Sequence, residues 1–438
     1  MSRKFLSALA GAAALAAFAT PAIAQTIAIT GGKLAIGDGS EAIENGTVVI
    51  VNGKVTAAGA NVAIPAGAQR IDATGQWVTP GIVSGFSRVG LVEVEAVEST
   101  NDTEANKSPF SAAIDVSTAI NPLANPIAIS RTSGVTRAVV VPSAGNSIFA
   151  GQGAVIDLST DMDDVTQPRA FQYVELGEAG AAKAGGSRPA AQLMFRTLLD
   201  EAQDYARNPS AYDGRSKDNL LLRVDAKALL PVIQGKVPLL VHVERGPDIL
   251  GVIALRKEFP TLKIVLVGAA EGWRVAREIA AAKIPVITAG LTDLPASFET
   301  LAATQSNVGR MVEAGVLVAL GLTDGNDAVQ LRWAMQQAGN MVALQKIPGA
   351  TGLSWGQALR AISSAPAEVM GMGDRIGSLK PGRVGDVVIW DGDPLELMSA
   401  PTAVFIDGKQ QPLENRQTKL RDRYATPTPG ALPKAYDR

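Results

Sequence analysis

Trp77-Val78-Thr79-Pro80-Gly81-Ile82-Val83-Ser84-Gly85-Phe86-Ser87-Arg88 is the stretch on which the reading of the whole chain turns. Apolar and β-branched residues lead into it, Pro80-Gly81 bends the chain, and Ile82-Val83 resume the apolar run. A short buried strand reads this way. In a β/α barrel such a strand directs its C-terminal end at the central cavity. Phe86 and Arg88 then stand where barrel chemistry is normally placed.

Working outward, both ends of the chain are rich in short strands. Thr47-Val48-Val49-Ile50-Val51 is followed by Asn52-Gly53 and then Lys54-Val55-Thr56-Ala57, a strong two-residue hairpin signal. Near the other end, Val387-Val388-Ile389-Trp390 precedes the turn Asp391-Gly392-Asp393-Pro394, and Ala403-Val404-Phe405-Ile406 precedes Asp407-Gly408. Two such ends around an α/β centre suggest one small sandwich built from both termini. In the centre, strands are expected at 135–141, 238–243, 263–267, 284–288 and 316–322. Helices are expected at 192–207, 226–234, 247–258 and 273–282. Ser354 with Gln357 three residues on fits a capping box for a further helix. Residues 148–158, with Gly151-Gln152-Gly153 inside, read as an inserted hairpin or loop. This alternation favours a parallel barrel with helices outside. A doubly wound open sheet is the alternative, lowered by the lack of a Gly-rich dinucleotide fingerprint after an early strand. The tail after Gln411 is polar, and Thr426-Pro427-Thr428-Pro429-Gly430 within it is turn-rich and reads as extended over the surface.

The segment Ala358-Leu359-Arg360-Ala361-Ile362 through Ala365-Pro366-Ala367, then Arg375-Ile376-Gly377-Ser378-Leu379-Lys380-Pro381-Gly382-Arg383-Val384-Gly385-Asp386-Val387-Val388, resembles the exit from the barrel in the amidohydrolase superfamily. The Pro80-Gly81 element resembles that superfamily's first barrel strand, Pro-Gly-hydrophobic-hydrophobic-Asp-x-His-x-His. The imidazolonepropionase-like branch is the most similar, with Gly151-Gln152-Gly153 as weaker support. On the residues alone, those glycines read as a turn needing positive φ. The resemblance implies an amidohydrolase-like (β/α)8 TIM barrel at 79–375, with a composite β-sandwich from 25–78 and 376–415. Residues 1–24 form a signal peptide and 416–438 a surface tail.

The resemblance also implies one or two divalent metals, zinc among them. Two first-strand His, His from the fifth and sixth strands and an eighth-strand Asp would hold them. Laid on that pattern, Ser84 takes the Asp position of the first strand, Phe86 and Arg88 take its two His positions, and Val267 takes the sixth-strand His. His242, the one histidine of the chain, matches the fifth-strand region, and Asp324 matches the catalytic Asp. Phe86 and Val267 cannot bind a cation, and Arg88 would repel one by roughly several kcal/mol if poorly solvated. The candidate catalytic residues are therefore Asp324 and His242, with Glu244, Arg245, Arg88 and Glu271 as candidate ligand contacts. At most His242, Glu244 and Asp324 remain for a metal. His242 and Glu244 share a strand face because the side-chain period is two. Against these readings, a lone strand-end His is often a hydrogen-bonded core residue, Asp324 before Gly325 can cap a helix, and rim ion pairs are common and weak. Leu331, Met335, Ala338 and Val342 recur at helical spacing and read as core.

Composition bounds the rest. The chain has 438 residues, 47% of them hydrophobic, enough for a barrel-sized core. Met1-Ser2-Arg3-Lys4, the apolar run Phe5 to Phe18 and Ala22-Ile23-Ala24 before Gln25 together read as a secretory signal, too short to span a bilayer. Cleavage would leave 38 basic against 42 acidic residues, which gives no reason to expect nucleic acid as a partner. No cysteine is present, so disulfides, thiolate metal sites and an N-terminal lipidated Cys are excluded. A periplasmic or secreted protein without a membrane span is expected. Three functions follow: a non-catalytic or partner subunit with a degenerate metal site, beside an active paralogue or as a homo-oligomer; a hydrolase of cyclic amide or peptide-like carbon–nitrogen bonds using a reduced site; or a periplasmic small-molecule binding protein.

Overall fold

The computed structural model describes residues 26–210, 212, 219–323 and 328–426. The expected signal peptide and the chain end beyond 426 lie outside the described residues, as does Asp324.

Two eight-stranded sheets organise the molecule. The first holds β1 (Thr26–Leu34), β2 (Ile43–Val51), β3 (Lys54–Gly59), β4 (Gln69–Asp72) and β5 (Trp77–Pro80) from the N-terminal side. From the C-terminal side it takes β14 (Val387–Trp390), β15 (Pro401–Ile406) and β16 (Lys409–Gln411). The second is the barrel sheet: β6 (Ile82–Ser87), β7 (Val135–Val140), β8 (Phe149–Asp157), β9 (Val165–Glu175), β10 (Leu239–Val243), β11 (Ile264–Gly268), β12 (Val286–Thr288) and β13 (Val318–Leu320). The stretch 77–88 joins them. β5 pairs antiparallel with β14 in the register Trp77↔Trp390 to Pro80↔Val387, and β6 pairs parallel with β7. Between them Gly81 donates its N–H to the Asp386 carbonyl at 3.0 Å. A Cβ on Gly81 would lie 2.1 Å from the Thr136 hydroxyl, so the pivot admits no side chain. The sandwich strand thus runs two residues past the boundary expected at Val78.

The Asn52-Gly53 hairpin forms, both residues with positive φ, as a tight primed turn requires. Its sheet encloses a core of Ile27, Ile29, Leu34, Val48, Ile50, Val387, Ile389 and Phe405. The barrel strands pair parallel except around β8, which runs antiparallel to both β7 and β9. The segment expected as an inserted hairpin or loop is therefore a wall strand. Gly151 has φ +124°, and a Cβ there would lie 2.6 Å from the Ile114 carbonyl oxygen. One on Gly153 would strike the Phe171 ring at 2.0 Å. Both glycines serve close backbone and ring packing within a strand. The last seam, between β13 and β6, closes by approach: Arg88 N–H donates to the Ala328 carbonyl at 2.8 Å, and Gly85 leaves room for the Leu320 carbonyl.

Helices at 188–207, 223–233, 246–258 and 333–343 form much as the apolar spacing predicts, and Ser354 and Gln357 complete the expected capping box. Of the helical stripe, Leu331 and Ala338 are buried while Met335 and Val342 pack against the core from the edge. A short helix, Ser364–Val369, contributes Ala365, Ala367 and Val369 to the same cluster as Phe86, Leu240 and Val267, within the barrel. Within the expected surface tail a helix forms at Arg416–Tyr424, started by a capping box from Asn415 to Thr418, while 427–430 of the stretch expected to be extended lie outside the described residues. It carries no buried residue, so no apolar period announces it. Asn415 ties it down through a 2.7 Å hydrogen bond to the Thr132 hydroxyl. Among the described residues no helix is long and apolar enough to cross a membrane.

Candidate functional site at the barrel mouth

The C-terminal ends of the barrel strands gather the chain's one histidine and several carboxylates. His242 stands near the end of β10, in register with Glu175 on β9 and Val267 on β11. Its Nδ1 is hydrogen-bonded to the Glu175 carboxylate. Its Nε2 lies 3.0 Å from Glu244 Oε1. The other oxygen of Glu244 accepts from the Ala270 backbone N–H at 2.7 Å, which turns the carboxylate inward and fixes it. Gly268, at φ +84°, makes room for this: a Cβ there would meet Glu244 Oε1 at 2.4 Å. Tyr173, two residues before Glu175 on the same strand face, donates its hydroxyl to Glu175 Oε2 at 3.4 Å and packs edge-on against Phe86 at 6.0 Å.

Burial opposes a charge on His242, but the Glu175 carboxylate and then Glu244 outweigh it and hold the imidazole pKa well above the usual value. Both ring nitrogens face carboxylates, an arrangement that favours the charged ring over the neutral one. Burial and the neighbouring Glu175 charge push the Tyr173 phenol upward as well. Glu299 completes the acidic surround; burial raises its carboxyl pKa, and it accepts from the Glu178 N–H at 2.8 Å and from Arg188 at 3.4 Å.

The other expected contacts divide. Arg88 sits at the end of β6 close enough to Tyr173 for its charge to act on the phenol, and among the described residues its buried Nε has no hydrogen-bond partner. Glu244 does not pair with it. Arg245 forms a two-pronged pair with Asp248 at 2.8 and 3.0 Å. Glu271 is buried and its carboxylate accepts from the Gly246 N–H at 3.1 Å and the Ala302 N–H at 3.2 Å, which fastens two mouth loops. Ser84 donates to the Phe86 carbonyl at 2.9 Å. Phe86 and Val267, both buried, pack with Leu240, Val265 and Ile287 in the apolar barrel interior.

The fit of a divalent metal follows from these donors. Both nitrogens of His242 are taken by carboxylates, Phe86 and Val267 have no donor atom, and Arg88 brings a positive charge. Among the described residues no group of three or more His, Asp or Glu side chains is arranged to hold a metal. The described residues therefore do not fit the family's metal set.

The comparisons with known proteins agree with the architecture. The Amidohydrolase family profile matches residues 261–413. The chain is 25% identical over 383 residues to amidohydrolase tasK of Hapsidospora irregularis, covering 80% of this chain and 38% of that protein. It thus spans about two fifths of the length of this curated relative. Among solved structures, an amidohydrolase from Thermotoga maritima MSB8 matches with a TM-score of 0.77 and 25% identity, over 89% of this chain and all of that one. A prolidase complexed with N-methylphosphonate-L-proline matches with a TM-score of 0.54 and 16% identity over 88% and 99% of the two chains. That second likeness concerns the fold alone.

Proposed function

The chain belongs to the amidohydrolase superfamily, and from that premise we propose that it is an exported member whose mouth site does not run metal-dependent hydrolysis and which serves as a binding or partner subunit. Membership by itself supports a hydrolase-like function; the finer reading rests on the state of His242. With both ring nitrogens engaged by carboxylates, His242 turns no nitrogen to a substrate or a cation, and a general base or a metal ligand needs a free lone pair. The competing reading, hydrolysis of carbon–nitrogen bonds by His242, Glu244 and Asp324, requires that lone pair. Export is supported by the basic, apolar and small-residue sequence of residues 1–24.

The test uses protein recovered from the periplasm of expressing cells without chelator. It should begin at Gln25, carry substoichiometric metal, and show no metal-dependent hydrolysis of dipeptides or cyclic amides. About one zinc per chain, lost in His242→Ala together with a hydrolytic rate that Asp324→Asn also abolishes, would overturn the proposal.

A further inference from the structure

At the end of the barrel opposite His242, the residues entering β10, β11 and β12 line a cavity of about 470 Å3. Lys236, Arg256, Lys263 and Lys283 stand around it, and Pro238, Leu262, Ile264, Pro285, Val369 and Met370 help to form its walls. One carboxylate, Glu368, shares the lining, but it is engaged by Arg360 at 2.6 Å. Among the described residues none of the four cations has an ion-pair partner; Arg256 uses one nitrogen on the Ala282 carbonyl and keeps its others. All four are exposed, so no desolvation opposes their charge. Like charges drawn into one concavity repel and raise the local potential, and a multivalent anion relieves that repulsion. The volume lies within the range of small-ligand pockets.

We propose that this basal pocket binds a compact anion bearing clustered phosphate groups. Three ammonium points and one planar guanidinium suit phosphate oxygens, which accept from both donor types and carry more charge per volume than a single carboxylate. The chain as a whole is net acidic at −2, so attraction confined to this pocket is local and not a consequence of overall charge. The site is remote from the mouth and stands or falls independently of the function proposed for it. Inorganic tripolyphosphate is the probe, titrated calorimetrically into the full-length protein at low and at high salt. One site per chain is expected, weakened by salt and by about tenfold or more in the double variant Lys263→Gln/Lys283→Gln. The control pair Lys107→Gln/Lys346→Gln, outside the cavity, should bind as the parent does. Co-sedimentation with phosphatidylglycerol vesicles distinguishes the source. Vesicle binding lost in the pocket variant, without tripolyphosphate binding, assigns the phosphates to lipid headgroups and upholds the site. Binding of neither probe, or equal losses in both variant pairs, overturns it.

Discussion

Two of the regions that bury charge in this molecule do it differently. At the junction of barrel and sandwich, Arg137 on β7 is 4% exposed and makes a two-pronged pair with Asp386 at 2.7 and 3.1 Å. It also meets Asp407 at 2.7 Å and Asp157 at 3.7 Å. At the mouth, His242 is 21% exposed and lies between Glu175 and Glu244. The guanidinium keeps its charge at any pH a protein meets, so the cation at the junction does not titrate. The imidazole is charged only while its carboxylates hold the proton on it, so the mouth is held conditionally. A permanent cation joins the parts of the fold, and a titratable one occupies the place of function.

The largest disturbance expected of this contrast is removal of everything after Asp374. It deletes β14–β16 and leaves β5 with one open edge. It also removes Asp386 and Asp407 from Arg137, and Trp390, whose indole donates to Thr79 at 2.9 Å and packs over Gly134. The truncated chain should aggregate. A soluble form with a cooperative melt would mean that the two ends do not share one domain. Next in size, Arg137→Met strands Asp386 and Asp157 in a buried site and should cost about 3–5 kcal/mol, read as a shift in the urea midpoint. A loss under about 1 kcal/mol would show that the junction does not depend on this ion cluster.

The smallest effect, and the one that sharpens the contrast most, is in the pH dependence. The folded-state pKa of His242 is raised above its unfolded value near 6.5. Its stabilisation is therefore complete below that value and is lost as pH rises through the folded pKa. Glu175, Glu244, Glu299, Tyr173 and Arg88 are the charged or titratable groups that bear on it. The melting temperature of the parent should fall as pH climbs from about 6.5, by the equivalent of about 2 kcal/mol for the charged hydrogen bonds. In His242→Gln that slope should vanish, while in Arg137→Met it should persist. An unchanged slope in His242→Gln would show that the ring is not held as the imidazolium.

What is legible without the structure is local. Asn52-Gly53 specifies its hairpin because only residues tolerant of positive φ fit that turn. Pro80-Gly81 marks the pivot between sheets, and Ser354 with Gln357 announces a helix start. Phe86, Arg88 and Val267 stand out as replaced positions from the motif frame alone. Glu175 does not stand out although Phe171-Gln172-Tyr173-Val174-Glu175 is strand-like, because Pro168 and Arg169, at φ +48°, break the pattern within β9. The helix at 416–424 is equally hidden, because a helix polar on every side has no period to detect.

The sequence by itself determined the family frame, the alternation of strands and helices, and the loss of imidazole donors, since these depend on residue identity and near neighbours. It left open whether Glu244 points inward, and what Glu271 and His242 bind. Only the tertiary structure decided those. Glu175 meets His242 through the lateral register of two parallel strands 67 residues apart, and Glu244 turns inward because the Ala270 amide and the bare Gly268 receive it. Pairing between parallel strands is fixed by how the whole sheet closes, and no short stretch of chain encodes it.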